Sequence, residues 1–183
     1  MVGVGTSTQL LYVGLVVLVA CERVFEMYLS KRHTQQALAH GGLEVGQGHF
    51  VPMVVLHSSF LLGCVLEIFV LKRPFIAWLG FSMLGVVVLA QALRYWAIFS
   101  LGERWNIRVI VVPGDTIVTR GPYRFLKHPN YVAVMLELLA LPLVHTAYIT
   151  ACVFVVLNMF FLRVRVRCEE AALSQYTPYR EHF

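Results

Sequence analysis

Gly121-Pro122-Tyr123-Arg124-Phe125-Leu126-Lys127-His128-Pro129-Asn130-Tyr131 is a basic, aromatic stretch that opens directly onto the apolar block Tyr131 to Leu162. Beyond that block comes a second charged cluster, Arg163, Arg165, Arg167, Glu169 and Glu170. A membrane helix needs about 20 apolar residues, and the block is too long for one. Pro142 and His145 divide it into Tyr131 to Leu143 and Thr146 to Leu162. The division predicts two helices joined by a tight hairpin, the second continuing into water through Ser174. Charged, aromatic segments on both sides of a helical hairpin predict a site built at a membrane surface.

Three more apolar runs precede this block: Gln9 to Leu29, Phe50 to Leu71 and Phe75 to Leu101. Of the 183 residues, 58% are hydrophobic and 14% charged, against about 25% charged in a soluble domain. The reading is an all-α, multi-pass integral membrane protein of five transmembrane helices with a cytoplasmic C-terminal helix. It is one domain over 1–183, with three N-terminal spans in 1–101 and a catalytic core in 102–183. The first run has no basic segment before it and no cleavage site, so it reads as a retained span. The net charge of +5 resides in loops beside apolar runs, which is the pattern that encodes orientation rather than nucleic-acid binding. Lys31, Arg32, Arg104, Arg108, Arg120, Arg124, Lys127, Arg163, Arg165, Arg167 and Arg180 fall on one face, Lys72 and Arg73 on the other. The first face is therefore expected in the cytoplasm, in the inner membrane if the host is bacterial.

Between Gly102 and Gly121 the pattern turns β-rich, with Ile107 to Val112 and Thr116 to Thr119 flanking Pro113-Gly114-Asp115. A turn signal between two such runs predicts a short β-hairpin. Gly41, Gly42, Gly46 and Gly48 mark the first loop of that face as flexible or closely packed. Cys21, Cys64, Cys152 and Cys168 lack metal or redox spacing, so they read as buried thiols with neither disulfide nor metal site.

Charges inside spans are costly and face one another or a polar cavity. Here they are Glu22, Arg23, Glu26, Glu67, Arg94 and Glu137. Structural ion pairing, for instance with Arg94, and lining of a substrate cavity are both open, with Glu22, Glu26, Arg94 and Trp105 as the cavity candidates. Pro129 suits the first turn of a helix, placing His128 at its positive end, where free N–H groups accept an anion. Arg165 and Glu169, four apart, share a helix face. Tyr176, Pro178, Tyr179 and Phe183 form an aromatic tail able to fold back over a ligand.

Together these segments resemble the isoprenylcysteine carboxyl methyltransferase family. Its pattern runs Gly-Pro-Tyr, Arg-His-Pro-x-Tyr, a helical hairpin, Arg-x-x-x-Glu-Glu and an aromatic tail. It is matched by Gly121-Pro122-Tyr123, Lys127-His128-Pro129-Asn130-Tyr131, Arg165, Glu169-Glu170, Tyr176 and Tyr179. Lys127 stands where arginine is usual, keeping the charge but losing the planar fork. The N-terminal half, with Glu22-Arg23, Glu26, Gly41-Gly42, His49 and Met53 to His57, is similar to a bacterial branch associated with type III polyketide synthases that methylates alkylpyrones.

The resemblance implies S-adenosylmethionine as cofactor, bound by Tyr123, Lys127, His128, Pro129, Tyr131, Glu170, Tyr176 and Tyr179. It implies a lipophilic acceptor entering from the bilayer, either a prenylcysteine carboxylate or a polyketide hydroxyl, with a polyketide synthase as a supplying partner. Arg165, Glu169 and Arg163 would be catalytic. A carboxylate or acidic enol needs a cation, Arg165 or Arg163, whereas a weaker phenol needs a base, Glu169 or Glu170. Two other readings are a nicotinamide-dependent membrane reductase and a scaffold whose basic face binds anionic lipid.

Overall fold

The computed structural model describes the backbone of residues 2–179 and the side chains of 6–48 and 50–179. Arg180 and Phe183 lie outside the described residues. Five α-helices follow in order: α1 (Val2–Ala39), α2 (Phe50–Val70), α3 (Ala77–Leu101), α4 (Pro129–Leu143) and α5 (Tyr148–Tyr176). The described residues also form two short strands, β1 (Leu43–Val45) and β2 (Val109–Val111), and three single 3-10 turns, Gln47–His49, Gly102–Arg104 and Gly121–Arg124. By length and composition, α2, α3 and α5 are each apolar enough to cross a membrane, and α4 is a shorter apolar helix. Large apolar side chains such as Leu11, Phe81, Leu89, Phe99 and Phe160 face outward from the bundle.

α1 runs past Lys31-Arg32, beyond the apolar stretch that marked it in the sequence, because His33 to Ala39 contains neither glycine nor proline. It stops at Gly41, whose φ of 81° is left-handed. There Gly42 N–H reaches back to the Ala37 carbonyl at 2.8 Å and Gly41 N–H to Leu38 at 3.1 Å, a bond pair that satisfies the last free carbonyls of the helix.

The core joins Tyr12, Val16 and Val19 of α1 to Phe60, Cys64 and Ile68 of α2, Val87 of α3, and Leu138, Ala140 and Leu141 of α4. α3 and α4 approach most closely, through the fully buried Ala90, Ala97, Ala133 and Ala140. Small side chains at such a crossing let two backbones meet where lipid offers no hydrophobic drive.

α4 ends one residue after Pro142, and α5 starts after the link 144–147, where Thr146 takes a φ of 56°. Glu67 of α2 caps the new helix. Its carboxylate accepts from Ile149 N–H at 3.1 Å, Thr150 N–H at 2.7 Å and the Thr150 hydroxyl at 2.8 Å, and pairs with Arg73 at 2.8 Å. One of the buried in-span charges thereby serves the free N–H groups of a helix start.

The strand pairing differs from the hairpin read in the sequence. β2 pairs antiparallel with β1, Leu43 opposite Val111 and Val45 opposite Val109, while Thr116 to Thr119 forms no strand. The Val112–Asp115 turn does form, with Asp115 N–H on the Val112 carbonyl at 3.1 Å. Gly114 N–H, however, bonds the Tyr176 carbonyl at 3.0 Å, and Arg104 holds Asp115 at 2.6 Å and the Thr116 carbonyl at 2.9 Å. These bonds draw the chain after the turn toward α3 and the end of α5, leaving β2's free edge to the loop after α1.

Candidate active site

A cavity of about 620 Å³ opens at the end of the bundle where the β1–β2 pair, the 102–128 segment and the last turns of α5 converge. Each helix contributes one stripe. On α5 the lining residues are Asn158, Leu162, Arg165, Glu169 and Leu173, spaced three to four apart as one helical face requires. On α1 they include Arg23, Glu26, Met27, Gln36 and Ala37, and on α2 Met53, Val54, His57 and Leu61.

The Gly121-Pro122-Tyr123 turn is locked against α3. Gly121 has φ 61°, and a Cβ there would come within 2.0 Å of the Ser100 hydroxyl, so glycine is required by both backbone and space. Pro129 occupies the first turn of α4 and is fully buried. His128, at the N-terminal flank of that helix, lines the cavity. Its ring lies nearly parallel to that of Tyr131, 5.2 Å between centres, and its Nε2 meets Glu170 at 3.1 Å.

At the centre of the wall, Arg165 uses its whole guanidinium. Nε donates to the Tyr131 hydroxyl at 2.7 Å, Nη1 to Met53 Sδ at 3.2 Å and Nη2 to the Ile107 carbonyl. The Tyr131 hydroxyl in turn donates to Glu169. Arg165 thus ties together α5, α4, α2 and the 102–128 segment while only 6% exposed.

Tyr179 folds back from the chain end and is 7% exposed. Its hydroxyl donates to Glu170 at 3.5 Å, and Lys127 Nζ lies 5.9 Å from its ring centre, a cation–π separation. Burial, then the nearby Glu170 carboxylate, pushes the Tyr179 phenol up to about 12. Burial and Glu169 likewise push Tyr123 well above the ordinary tyrosine value. Both phenols are hydrogen-bond donors over the neutral pH range.

A second polar group lies on the α1–α3 side. Arg23 pairs with Glu26 at 2.8 Å, and Arg94 pairs with Glu137 at 2.9 Å and Glu26 at 3.5 Å. Trp105, on the same cavity wall, is 3% exposed. Its carbonyl accepts from His33 Nδ1 at 2.7 Å, and the next residue, Asn106, bonds Ser30 and Thr34 through its amide. Trp105 and Asn106 are thereby strapped onto the extension of α1.

Of the sequence candidates, Arg165, Glu169, Tyr123, Lys127, His128, Tyr131, Tyr179, Glu26, Arg94 and Trp105 share this one cavity wall. Five do not. Pro129 shapes the helix start. Glu170 stands behind His128 and Tyr179. Glu22 accepts from Gln91 at 2.7 Å away from the wall. Tyr176 contributes its carbonyl to Gly114. Arg163 points outward and is exposed, because two residues along a helix turn a side chain about 200° from Arg165. The sequence reading had no site role for Met53, His57, Asn130 or Asn158. Asn158 was detectable, since it lies seven residues before Arg165 and so on the same face.

A helical membrane protein with one charged, aromatic cavity at the end of its bundle is the class that fold and site define. Residues 83–175 match the model of the isoprenylcysteine carboxyl methyltransferase (ICMT) family, and the chain belongs to that family. It is 38% identical over 164 residues to YpbQ of Bacillus subtilis (strain 168), an uncharacterized protein, covering 89% of this chain and 96% of that one. It is 26% identical over 159 residues to an uncharacterized Haemophilus influenzae protein, covering 85% and 91% of the two chains. Over 77 residues it is 36% identical to the human protein-S-isoprenylcysteine O-methyltransferase, covering 41% of this chain and 27% of that enzyme. The family is one of membrane methyltransferases, and all of the Gly121–Tyr131 stretch and the Arg165–Glu169 pair fall inside the matched region.

Proposed function

We propose that this protein is an S-adenosylmethionine-dependent O-methyltransferase acting at the membrane on a lipophilic acceptor, a prenylcysteine-type carboxylate or an alkylpyrone-type polyketide hydroxyl. The observation that carries the reading is the Arg165–Tyr131–Glu169 chain of hydrogen bonds on the wall of a 620 Å³ cavity. In this reading the whole chain is one catalytic unit, with its charged end facing the cytoplasm and a polyketide synthase as a source of acceptor.

The residues present fit such a cofactor. Asn130 Oδ1 is buried without a hydrogen-bond partner on the cavity wall, which leaves an acceptor for an ammonium or a ribose hydroxyl. Lys127 and His128, both on the cavity wall at the positive end of α4, suit a carboxylate. Tyr123, Tyr131 and Tyr179 offer aromatic surface. When bound, the cofactor supplies an electrophilic methyl group on a sulfonium.

The protein's own part is alignment and exclusion of water, which account for much of the catalysis of a displacement. Tyr179, folded over the opening, keeps solvent out. Arg165 neutralises an anionic acceptor oxygen. For a hydroxyl acceptor, Glu169 takes the proton and Tyr131 holds that carboxylate in place.

The test is transfer of labelled methyl from S-adenosylmethionine to N-acetyl-S-farnesylcysteine or a long-chain alkylpyrone by the detergent-purified protein. Transfer by the wild type and its loss in Arg165→Ala, with folding retained, supports the reading. Absence of transfer together with stabilisation by a nicotinamide nucleotide favours the reductase reading, and salt-sensitive binding of anionic vesicles alone favours the scaffold.

A further inference from the structure

α2 and α5 run antiparallel against one another, and three contacts fix their register. Met53 Sδ accepts from Arg165 Nη1 at 3.2 Å. The rings of Phe60 and Phe154 meet edge to face, 5.6 Å between centres. A Cβ on Gly63 would lie 3.3 Å from the Thr150 side chain. His57 and Asn158 fall between the first two of these contacts, and both line the cavity. They therefore share one level of its wall, deeper in the bundle than Arg165. His57 is about one helical turn from Met53, the residue that Arg165 touches.

The hydrogen bonds that each already makes define what each has left. A carbonyl only accepts, so His57 Nδ1 carries the hydrogen that it gives to the Met53 carbonyl at 2.9 Å. In the neutral ring this bond fixes the tautomer and leaves a lone pair on Nε2, which has no partner among the described residues. Asn158 is 3% exposed, and its Nδ2 donates to Met135 Sδ at 3.1 Å. Its Oδ1 has no partner among the described residues either. One level of the wall, next to the atoms that Arg165 reaches, thus presents two acceptor atoms from two helices. A head group holding only lone pairs there sets them against two more, the kind of mismatch that specificity uses. A head group carrying an N–H or O–H satisfies them.

We propose that His57, with Asn158 beside it, is a specificity-determining residue of the methyl transfer, and that it receives an N–H or O–H which the acceptor carries close to its reacting oxygen. Arg165 holds the reacting oxygen, and His57 Nε2 holds the second group. The pair thereby fixes the head at two points and turns the reacting oxygen toward the methyl. This rests on the methyltransferase reading above and adds a requirement that applies to a carboxylate and to a hydroxyl acceptor alike.

The experiment uses two pairs of probes, each pair sharing its reacting group and its tail and differing by one donor. N-acetyl-S-farnesylcysteine has an amide N–H that S-farnesyl-3-mercaptopropionic acid lacks. 5-Pentadecylresorcinol has a second hydroxyl that 3-pentadecylphenol lacks. Wild type, His57→Phe and His57→Gln are compared as purified full-length proteins, with S-adenosylhomocysteine binding by thermal shift to report folding and the cofactor site. In the pair that the wild type methylates, the donor-bearing probe is expected to have a kcat/KM about ten-fold higher or more, the scale of one hydrogen bond in a specificity site. His57→Phe brings that ratio to within about two-fold by losing rate on the donor-bearing probe, with S-adenosylhomocysteine binding unchanged. His57→Gln, whose Oε1 stands near the place of Nε2, keeps a preference of about three-fold or more. His57→Leu replaces His57→Phe if the phenylalanine variant does not fold.

A wild-type ratio within about two-fold overturns the proposal. So does a folded His57→Phe or His57→Leu that slows both members of a pair alike and keeps the ratio, the result of a merely structural role. A wild type that binds S-adenosylhomocysteine but methylates none of the four probes overturns it while the methyltransferase reading stands. Failure to bind S-adenosylhomocysteine removes both.

Discussion

Arg165 and Glu169 communicate through a third side chain: the Tyr131 hydroxyl accepts from Arg165 Nε at 2.7 Å and donates to Glu169. One phenol from the start of α4 therefore orders the cation and the carboxylate that α5 presents one turn apart. Tyr131→Phe keeps the ring stacked on His128 and removes only this link. It is expected to lower kcat about 10–100-fold, the scale of a lost charge-assisted hydrogen bond in a reacting site, with a small change in S-adenosylhomocysteine affinity. Steady-state kinetics beside a binding measurement check it.

Arg165→Lys is expected to be as inactive as Arg165→Ala. The side chain bonds Tyr131, Met53 and Ile107 from three different nitrogens, and an ammonium cannot span that fork. Arg163→Ala, by contrast, removes an exposed charge on the opposite face and is expected to keep kcat/KM within about two-fold of wild type. Measuring both in one assay tests whether the cavity face of α5 is assigned correctly, and a large loss from Arg163→Ala contradicts it.

Glu67→Ala leaves two N–H groups, a hydroxyl and Arg73 without their partner at the start of α5. The expected cost is about 3 kcal/mol, read as a lower unfolding temperature in detergent. Glu67 is remote from the cavity wall, so KM values for cofactor and acceptor stay unchanged.

The Tyr179 phenol keeps its proton longer in the folded protein, up to about 12, than in the unfolded chain, where tyrosine titrates near 10. The stabilisation from tail closure is therefore fully present below about pH 10 and is lost as pH rises through about 12. Thermal unfolding of wild type and Tyr179→Phe between those limits is the check. The wild type loses stability faster with rising pH than the variant does.

Much of this was legible in the chain because membrane helices are encoded locally. Length, apolarity, Pro129 and Pro142 locate α4 and α5 without tertiary information, and the four-residue spacing of Arg165 and Glu169 gives their shared face. The strand pairing was not legible, since Leu43–Val45 and Val109–Val111 meet across more than sixty residues and the local turn at Pro113-Gly114-Asp115 points to a nearer partner. For Glu26 and Arg94 the sequence left two readings open, ion pairing and lining of a substrate cavity; in the structure they pair with each other and both lie on the cavity wall. Arg163 could have been set aside by helical spacing alone.

The most direct measurement is S-adenosylhomocysteine binding to the detergent-purified protein by calorimetry, with His128→Ala and Glu169→Ala beside the wild type. The account predicts saturable binding by the wild type that weakens in both variants while their unliganded folds persist. Folded wild-type protein with no affinity for S-adenosylhomocysteine or S-adenosylmethionine contradicts it.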